Sequence, residues 1–276
     1  MILTFTPEKH EYKSLGEDID WIGVTTFISH FKEPFNAELQ AKKSSKNKRS
    51  KWYGIPPEEI LTIWRNEADR SSTLGNWYHD QRESDIIEFK TLNRFGVDIP
   101  IIKPLYKDGI KHAPDQKLKD GVYPEHLVYL KSAGICGQSD RVEVVKKKVY
   151  ISDYKSNKEI KLEGYTNWEG ITSKMADPIS HLDECHIVQY GLQLSLYLYI
   201  ILKHNPQLSP GKLTIDHVIF EEKAKDKYGY PIYRQDKHGN YIIKDIVHYP
   251  VPYYKAEILS MIKYLKDNRE LIKSKK

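Results

Sequence analysis

Residues 134–155 read GICGQSDRVEVVKKKVYISDYK, and this stretch decides the fold. Polar and apolar side chains alternate over residues 141–145 and again over residues 149–155, which predicts two half-buried β-strands. Lysines occupy the few positions between the two runs. Because so short a connection joins strands only when the chain reverses, the two runs are expected to pair as an antiparallel β-hairpin.

The predicted pairing brings together residues that are distant in sequence. With residues 146–147 at the tip, Asp140 lies opposite Asp153 or Tyr154, and directly opposed residues have Cβ atoms about 4.5–5.5 Å apart. Asp153 and Lys155 are two positions apart, so they project from the same face. Two carboxylates this close repel unless a cation neutralises them, and hard oxygen ligands suit Mg²⁺ or Mn²⁺. The alternative interpretation is a pair of surface acidic residues on a solvated strand.

Further strands and helices are expected on both sides of the hairpin. They predict an α/β fold in which a central mixed β-sheet is flanked by helices. The length of 276 residues fits one domain, with a helical N-terminal region up to about residue 95 and the core from about residue 120. Helices are predicted to start at Pro57, to run from about Leu74 to Lys90 and from about Asp183 to His204, and to follow Pro252; strands are predicted at His126–Tyr129, Leu213–Phe220 and Tyr241–His248.

Composition narrows the class of protein. Hydrophobic residues make up 39% of the chain, which is enough apolar material for a folded core. The net charge of +5 permits a nucleic-acid partner without requiring one. Two cysteines without a CxxC pair cannot form a four-cysteine zinc or iron–sulfur site. Because neither a signal peptide nor an apolar run of about 20 residues is present, a soluble, intracellular protein without a membrane segment is expected.

One segment, residues 41–52, has a strongly basic composition and reads AKKSSKNKRSKW. Two interpretations stay open. It is a solvated loop, or it is an arm whose cations contact the phosphate backbone while the tryptophan stacks on bases. The candidate DNA contacts in this segment are Lys46, Lys48, Arg49, Lys51 and Trp52.

The hairpin sequence resembles the core of a known nuclease superfamily. Residues 137–140 (GQSD), followed by the hairpin and by residues 151–158 (ISDYKSNK), are similar to the G-x-x-D … D-x-K motif of PD-(D/E)XK nucleases. The resemblance implies a restriction-endonuclease-like core. It also implies that Asp140, Asp153 and the Tyr154 carbonyl bind metal, and that Lys155 orients or helps to deprotonate the attacking water.

A second motif resembles the RecB-like exonuclease branch of that superfamily. Residues 75–83 (GNWYHDQRE) are similar to its G-x-x-x-H-x-x-x-E helix. The resemblance implies that His79 approaches the metal, with Glu83 as a further candidate one helical turn later. Glu125 stands where related nucleases often place an acidic residue, just before the first core strand, and is a candidate extra ligand.

A third motif resembles the Q-x-x-x-Y helix of the same branch. Residues 193–197 read QLSLY, and Gln193 and Tyr197 share one helix face because they are four positions apart. The resemblance implies that this pair belongs to the catalytic site, packs beside the metal and contacts DNA.

Together these motifs imply a metal-dependent DNA exonuclease that hydrolyses phosphodiester bonds from a free end, similar to phage-type and mitochondrial genome-maintenance exonucleases. Mg²⁺ is the implied cofactor, Mn²⁺ is expected to substitute, and an iron–sulfur cluster is not expected. The implied partners are single-stranded DNA or duplex ends and a single-strand-binding or annealing protein. The implied location is the cytoplasm, which is the host cytoplasm for a phage-encoded protein. The alternatives are a structure- or sequence-specific endonuclease of the same fold and a non-catalytic nucleic-acid-binding protein.

Overall fold

The computed structural model describes residues 3–9 and 11–270 of the chain. Short 3-10 helices occupy Pro7–Lys9 and Lys131–Ala133. The α-helices are α1 (Val24–Ser29), α2 (Ala37–Lys46), α3 (Pro57–Ile87), α4 (His186–His204) and α5 (Lys255–Asp267). The strands are β1 (Leu3–Thr6), β2 (Glu11–Ser14), β3 (Ile22–Gly23), β4 (Thr91–Arg94), β5 (Val97–Pro100), β6 (Leu105–Lys107), β7 (Ile110–His112), β8 (Gly121–Leu130), β9 (Ile135–Val145), β10 (Lys148–Lys155), β11 (Ser209–Phe220), β12 (Glu222–Lys225), β13 (Pro231–Tyr233) and β14 (Ile243–Val251).

The largest sheet is mixed, as predicted. Its strands follow the order β14-β11-β10-β9-β3. Strand β8 also belongs to this sheet and pairs with β9 along the edge opposite to β10. The pairs β10–β11 and β3–β9 are parallel, whereas β8–β9, β9–β10 and β11–β14 are antiparallel. The parallel step from β10 to β11 requires a crossover, and α4 lies within the chain segment that supplies it.

The central hairpin has the predicted tip and register. Val145 pairs with Lys148 and Arg141 pairs with Ser152 across β9 and β10. Lys146 and Lys147 both adopt left-handed backbone angles, with φ of 49° and 63°. Two consecutive positive φ angles are characteristic of the type I′ turn, which matches the twist of the flanking strands.

Helices cover both faces of this sheet, which places the chain in the α/β class that the sequence predicts. On one face, Ile151 and Ile215 belong to the main core together with Leu192 and Leu196 of α4. On the other face, Tyr154 belongs to a second core cluster with Leu74 and Tyr78 of α3, as well as Val218 and Phe220. The side chains alternate in this way because successive strand residues point to opposite faces. The open end of the hairpin is therefore enclosed between α3 and α4.

Helices α1, α2 and α3 lie in the N-terminal region, as the sequence predicts, but this region also contains strands that the sequence pattern does not predict. Strands β1 and β2 belong to a four-stranded sheet with β6 and β7, in the order β2-β1-β7-β6. Strand β3 belongs to the main sheet. Leu3, Phe5 and Trp21 form a small buried cluster with residues of β8 and β9. The strands are short and their alternation covers only a few residues, so the sequence pattern does not reveal them.

Helix α3 is longer than the sequence predicts. The two helices expected to start at Pro57 and at Leu74 are one continuous helix of 31 residues. Residues 65–73 lack glycine and proline, so nothing in them interrupts the backbone hydrogen bonds. Helix α4 begins at His186, three residues later than predicted. Within the described ranges, none of the helices has the length and apolarity needed to span a bilayer.

Candidate metal centre

Two buried carboxylates meet at the open end of the hairpin. Arg141 and Ser152 are the last pair of the β9–β10 ladder, counted from the turn. Asp140 and Asp153 are the next residue beyond this pair on each strand, so they oppose each other. Their exposed fractions are 8% and 1%. The backbone N–H of Tyr154 donates a hydrogen bond of 2.7 Å to Asp140 Oδ2. The sequence prediction that Asp140 lies opposite Asp153 or Tyr154 agrees with this arrangement, and solvated surface positions are excluded.

Helix α4 supplies the contacts that hold Asp153. Gln193 Nε2 donates a hydrogen bond of 3.0 Å to Asp153 Oδ1 and lies 3.3 Å from the Tyr197 hydroxyl. Both α4 side chains are buried, at 8% and 3% exposure. Gln193 therefore positions Asp153, and contact of the Gln193–Tyr197 pair with DNA stays a prediction. Gly137 permits this packing, because a Cβ there would lie 2.8 Å from the Tyr197 ring.

Lys155 lies two positions after Asp153, on the same face of β10. Its Nζ forms an ion pair with Asp153 Oδ2 and lies 4.8 Å from the centre of the Tyr190 ring. Burial lowers the pKa of Lys155, but the nearby carboxylates of Asp153 and Asp140 outweigh this effect and raise the pKa above its ordinary value. Lys155 is therefore an ammonium group at neutral pH, suited to hold an anionic oxygen.

Helix α3 brings His79 to the same place. His79 Nδ1 lies 3.5 Å from Asp140 Oδ2 and 3.6 Å from Glu125 Oε1. Ligand atoms of these three residues all lie within 4.8 Å of one another, which is a spacing that one cation can bridge. The helix comes close to the end of β10 at Gly75, where a Cβ would lie 3.3 Å from Ser156 Oγ.

Glu125 has an unusual backbone. It lies opposite Asp140 in the β8–β9 register, between the pairs Pro124–Arg141 and His126–Ser139. Its φ angle is 47°, in the left-handed region that residues other than glycine rarely adopt. Such strain persists only where the surrounding structure enforces it, and it concentrates at functional sites. The Glu125 carboxylate also accepts a hydrogen bond from the Gln138 side chain.

Lys111 is a site residue that the sequence did not reveal. It lies on β7 in the N-terminal sheet, is 2% exposed, and donates hydrogen bonds of 3.1 Å to the Glu125 carbonyl and to Gln138 Oε1. Glu83 lies 3.7 Å from the same ammonium group, so it pairs with Lys111 and lies outside the group of His79, Glu125 and Asp140. Only the tertiary fold joins this lysine to β8, and a three-residue strand carries no motif that would identify it.

The donor set fits a hard divalent cation. Burial, followed by the charge of Asp153, raises the pKa of Asp140 to about 8. Burial would lower the pKa of His79, but the carboxylates of Asp140 and Glu125 raise it to about 9. A buried excess of negative charge thus draws protons into the site. Mg²⁺ or Mn²⁺ prefers such oxygen ligands and would neutralise them in place of protons. The Tyr154 carbonyl stays a predicted ligand.

We expect Mg²⁺ or Mn²⁺ to raise the melting temperature of the protein, and to raise it more at pH 8.5 than at pH 6.5. A folded-state pKa above the ordinary value for aspartate means that ionised Asp140 destabilises the metal-free fold as the pH rises from about 4 towards 8. Metal binds the ionised form and relieves that cost, so its effect grows with pH. Thermal unfolding at both pH values, with metal and with EDTA, measures it. Asp140→Asn should lose the metal-induced shift, and an unchanged shift in that variant would remove Asp140 from the metal site.

The basic segment is partly helical. Lys46 ends α2, while Lys48 and Arg49 lie in the following turn, and all three are exposed. Lys51 Nζ donates a hydrogen bond of 2.7 Å to the Tyr228 carbonyl and lies over the rings of Trp52 and of Tyr230. The solvated-loop interpretation is therefore wrong for residues 41–46, which belong to α2. The phosphate-contact interpretation stays a prediction.

Trp52 is buried, whereas stacking on bases would require an exposed ring. It is 6% exposed and packs in a cluster with Ile60 and Ile63 of α3. Its ring contacts Trp64 edge-on at 6.1 Å between centroids, and Tyr228 at 5.8 Å. The ring is therefore not available for stacking on a base. Trp52 instead anchors the basic segment on α3.

Comparisons with known proteins add little to this geometry. No protein-family model and no curated protein matches the sequence. Among solved structures, the chain matches the protein called SSO0001, with 14% sequence identity and a TM-score of 0.31 over 91% of this chain and 77% of that chain. A TM-score this low carries no argument about fold or activity. The functional case therefore depends on the residues of this chain.

Proposed function

We propose that the protein is a metal-dependent deoxyribonuclease that hydrolyses phosphodiester bonds from a free DNA end. The observation that supports this most strongly is the convergence of Asp140, Asp153 and Lys155 at the open end of one hairpin, with His79 and Glu125 facing them from α3 and β8. Buried carboxylates beside a lysine suit phosphoryl chemistry, since they bind a cation while the ammonium group contacts an anionic oxygen. The PD-(D/E)XK resemblance of the hairpin sequence agrees with this proposal.

Each residue has a distinct role in the proposed reaction. Asp140, Asp153, Glu125 and His79 would hold the metal, which when bound lowers the pKa of water and stabilises charge on the phosphate. Lys155 would orient the nucleophilic water and a phosphate oxygen through its ammonium group. Gln193 fixes the rotamer of Asp153 by its amide hydrogen bond. A non-catalytic binding protein would have no use for this set, which favours the nuclease over that alternative.

Dependence on a DNA end follows from two features. The motif of α3 and the Gln193–Tyr197 pair resemble the exonuclease branch, and the sequence shows no motif that reads base edges. Contacts with the backbone alone do not select an internal site. We therefore expect linear DNA to be degraded progressively to short products in Mg²⁺, whereas covalently closed circles of the same sequence survive.

The measurement is a time course on end-labelled linear DNA and on closed single-stranded and double-stranded circles. Circles linearised by a restriction enzyme serve as the matched control, since only the end differs. Rapid cutting of closed single-stranded circles would contradict end dependence and favour the endonuclease alternative. Products of fixed length from one linear sequence would point to sequence-specific cleavage.

The exposed cations at the end of α2 and in the following turn provide a further test of DNA binding. Neutralising Lys46, Lys48 and Arg49 together should weaken binding of every DNA sequence alike. On single strands, the salt dependence of log K should fall by about 0.7 for each phosphate that the variant no longer neutralises. Lys51→Gln should mainly lower thermal stability, because this lysine contacts Tyr228 and aromatic rings. Binding titrations at several salt concentrations measure the slopes. An unchanged slope in the triple variant would show that these cations do not contact phosphate.

A further inference from the structure

A polar cleft opens beside the candidate metal centre. Its volume is about 440 Å³, and it lies between α3 and residues 156–161, which follow directly after Lys155. Hydroxyl and cationic groups dominate the side chains that line it, although Glu67 and Glu159 also belong to its wall. The hydroxyls and cations include Ser71, Ser72, Ser156, Lys158, Lys161 and Tyr233. Such donors suit an anionic, oxygen-rich ligand.

Lys158 is held across this cleft. Its Nζ lies 3.0 Å from Glu67 Oε1 and 4.0 Å from the centre of the Tyr230 ring. Glu67 is 14% exposed and Lys158 is 47% exposed, so solvent reaches the lysine from the cleft side. The contact joins α3 to the segment after β10. In the DNA-free protein, Glu67 thus forms an ion pair with Lys158, which is the cationic residue nearest in sequence to Lys155.

Glu67 has a second cation within reach. Its other carboxylate oxygen, Oε2, pairs with Arg70 one turn later on α3. Arg70 also lies 3.9 Å from Asp226. If an incoming anion takes Lys158, Glu67 keeps the contact with Arg70 and is not left as an unpaired charge. The arrangement therefore permits exchange of one anion for another at Lys158 at little electrostatic cost.

We propose that this cleft binds the phosphodiester backbone of the strand being cleaved, and that Glu67 is a phosphate substitute that the strand displaces from Lys158. The inference rests on the proposed function. Lys158 is three positions after Lys155, so their Cα atoms are at most about 11 Å apart. A phosphate adjacent to the reacting one on the same strand can lie within this reach. The cleft hydroxyls supply neutral donors for its oxygens.

The displacement predicts opposite effects for the two partners. Glu67→Gln frees Lys158, so single-stranded DNA should bind roughly three- to tenfold more tightly. The salt dependence of log K should change little, because Lys158 neutralises one phosphate in both proteins. Lys158→Gln should weaken binding and flatten the slope by about 0.7, because that phosphate is no longer neutralised. In the double variant the Glu67→Gln gain should vanish, since residues that share one interaction are not additive.

The test titrates a fluorescein-labelled single-stranded DNA oligomer into the full chain in EDTA at four salt concentrations. Lys263→Gln, an exposed lysine on α5, is the matched control for removal of one positive charge. Thermal unfolding of each variant separates an effect on stability from an effect on the salt slope. An unchanged affinity in Glu67→Gln would overturn the inference, as would equal gains from that substitution in the presence and absence of Lys158. Failure of the proposed function has a different signature: the DNA binds with these slopes, but wild-type protein does not cleave it in Mg²⁺.

Discussion

Asp153→Asn should reduce metal-dependent cleavage by at least about a thousandfold while the protein stays folded. Asp153 is the most deeply buried carboxylate of the site, and it lies between Lys155 and Gln193. Asparagine keeps the shape and one acceptor oxygen but removes the charge. A bound metal would contribute several kcal/mol of transition-state stabilisation, and each 1.36 kcal/mol corresponds to a factor of ten in rate. Single-turnover cleavage of end-labelled DNA measures the loss, and calorimetric titration with Mn²⁺ measures the affinity.

Asp140→Asn provides the parallel case. Its side-chain oxygen can still accept the N–H of Tyr154, so the hairpin should keep its register. We expect the same loss of cleavage and of metal affinity. The control is Asp245→Asn on β14, an exposed carboxylate distant in sequence from the site. Wild-type cleavage rates in either the Asp153 or the Asp140 variant would show that the site is misassigned.

Lys155→Ala should preserve metal binding and lose turnover, with a reduction of about 10²–10⁴-fold. The ammonium group contacts Asp153 but is not a metal ligand, so its removal leaves the carboxylates free for the cation. The substitution removes the group that would orient water and phosphate at the moment of reaction. The expected signature is therefore a fall in kcat with little change in Mn²⁺ affinity.

Lys148→Ala is the matched control, because that lysine lies on the same strand at its exposed end. It should leave kcat unchanged. Lys155→Arg tests whether charge alone suffices, since arginine keeps the charge but differs in shape and donor geometry. Normal turnover in the Lys155→Ala protein would remove this residue from the mechanism.

The sequence predicted the hairpin because the rules that govern it are local. Alternation over residues 141–145 and 149–155 identifies the two strands, and the short lysine turn fixes the register. Once the register is fixed, the proximity of Asp140 and Asp153 follows from geometry alone. The same holds for Gln193 and Tyr197, whose shared helix face depends only on helical spacing.

The remaining parts depend on tertiary contacts that no local pattern encodes. Lys111 reaches Glu125 only because the N-terminal sheet packs against β8, and its three-residue strand shows no helical or strand periodicity. One interpretation of the basic segment has Trp52 stacking on bases, but Trp52 packs against Trp64 instead. An aromatic residue after a basic run has the same sequence signature in both cases. Burial alone distinguishes them.

The most direct measurement of the central claim is cleavage of end-labelled linear DNA by the purified wild-type protein, in Mg²⁺ and in EDTA. Asp153→Asn protein, prepared in the same way, controls for a contaminating nuclease. The proposed metal centre at Asp140 and Asp153 predicts degradation in Mg²⁺, none in EDTA, and none by the variant under either condition. Equal degradation in EDTA, or by the variant in Mg²⁺, would contradict a metal-dependent nuclease at this site. Intact DNA in all four reactions would contradict the nuclease itself.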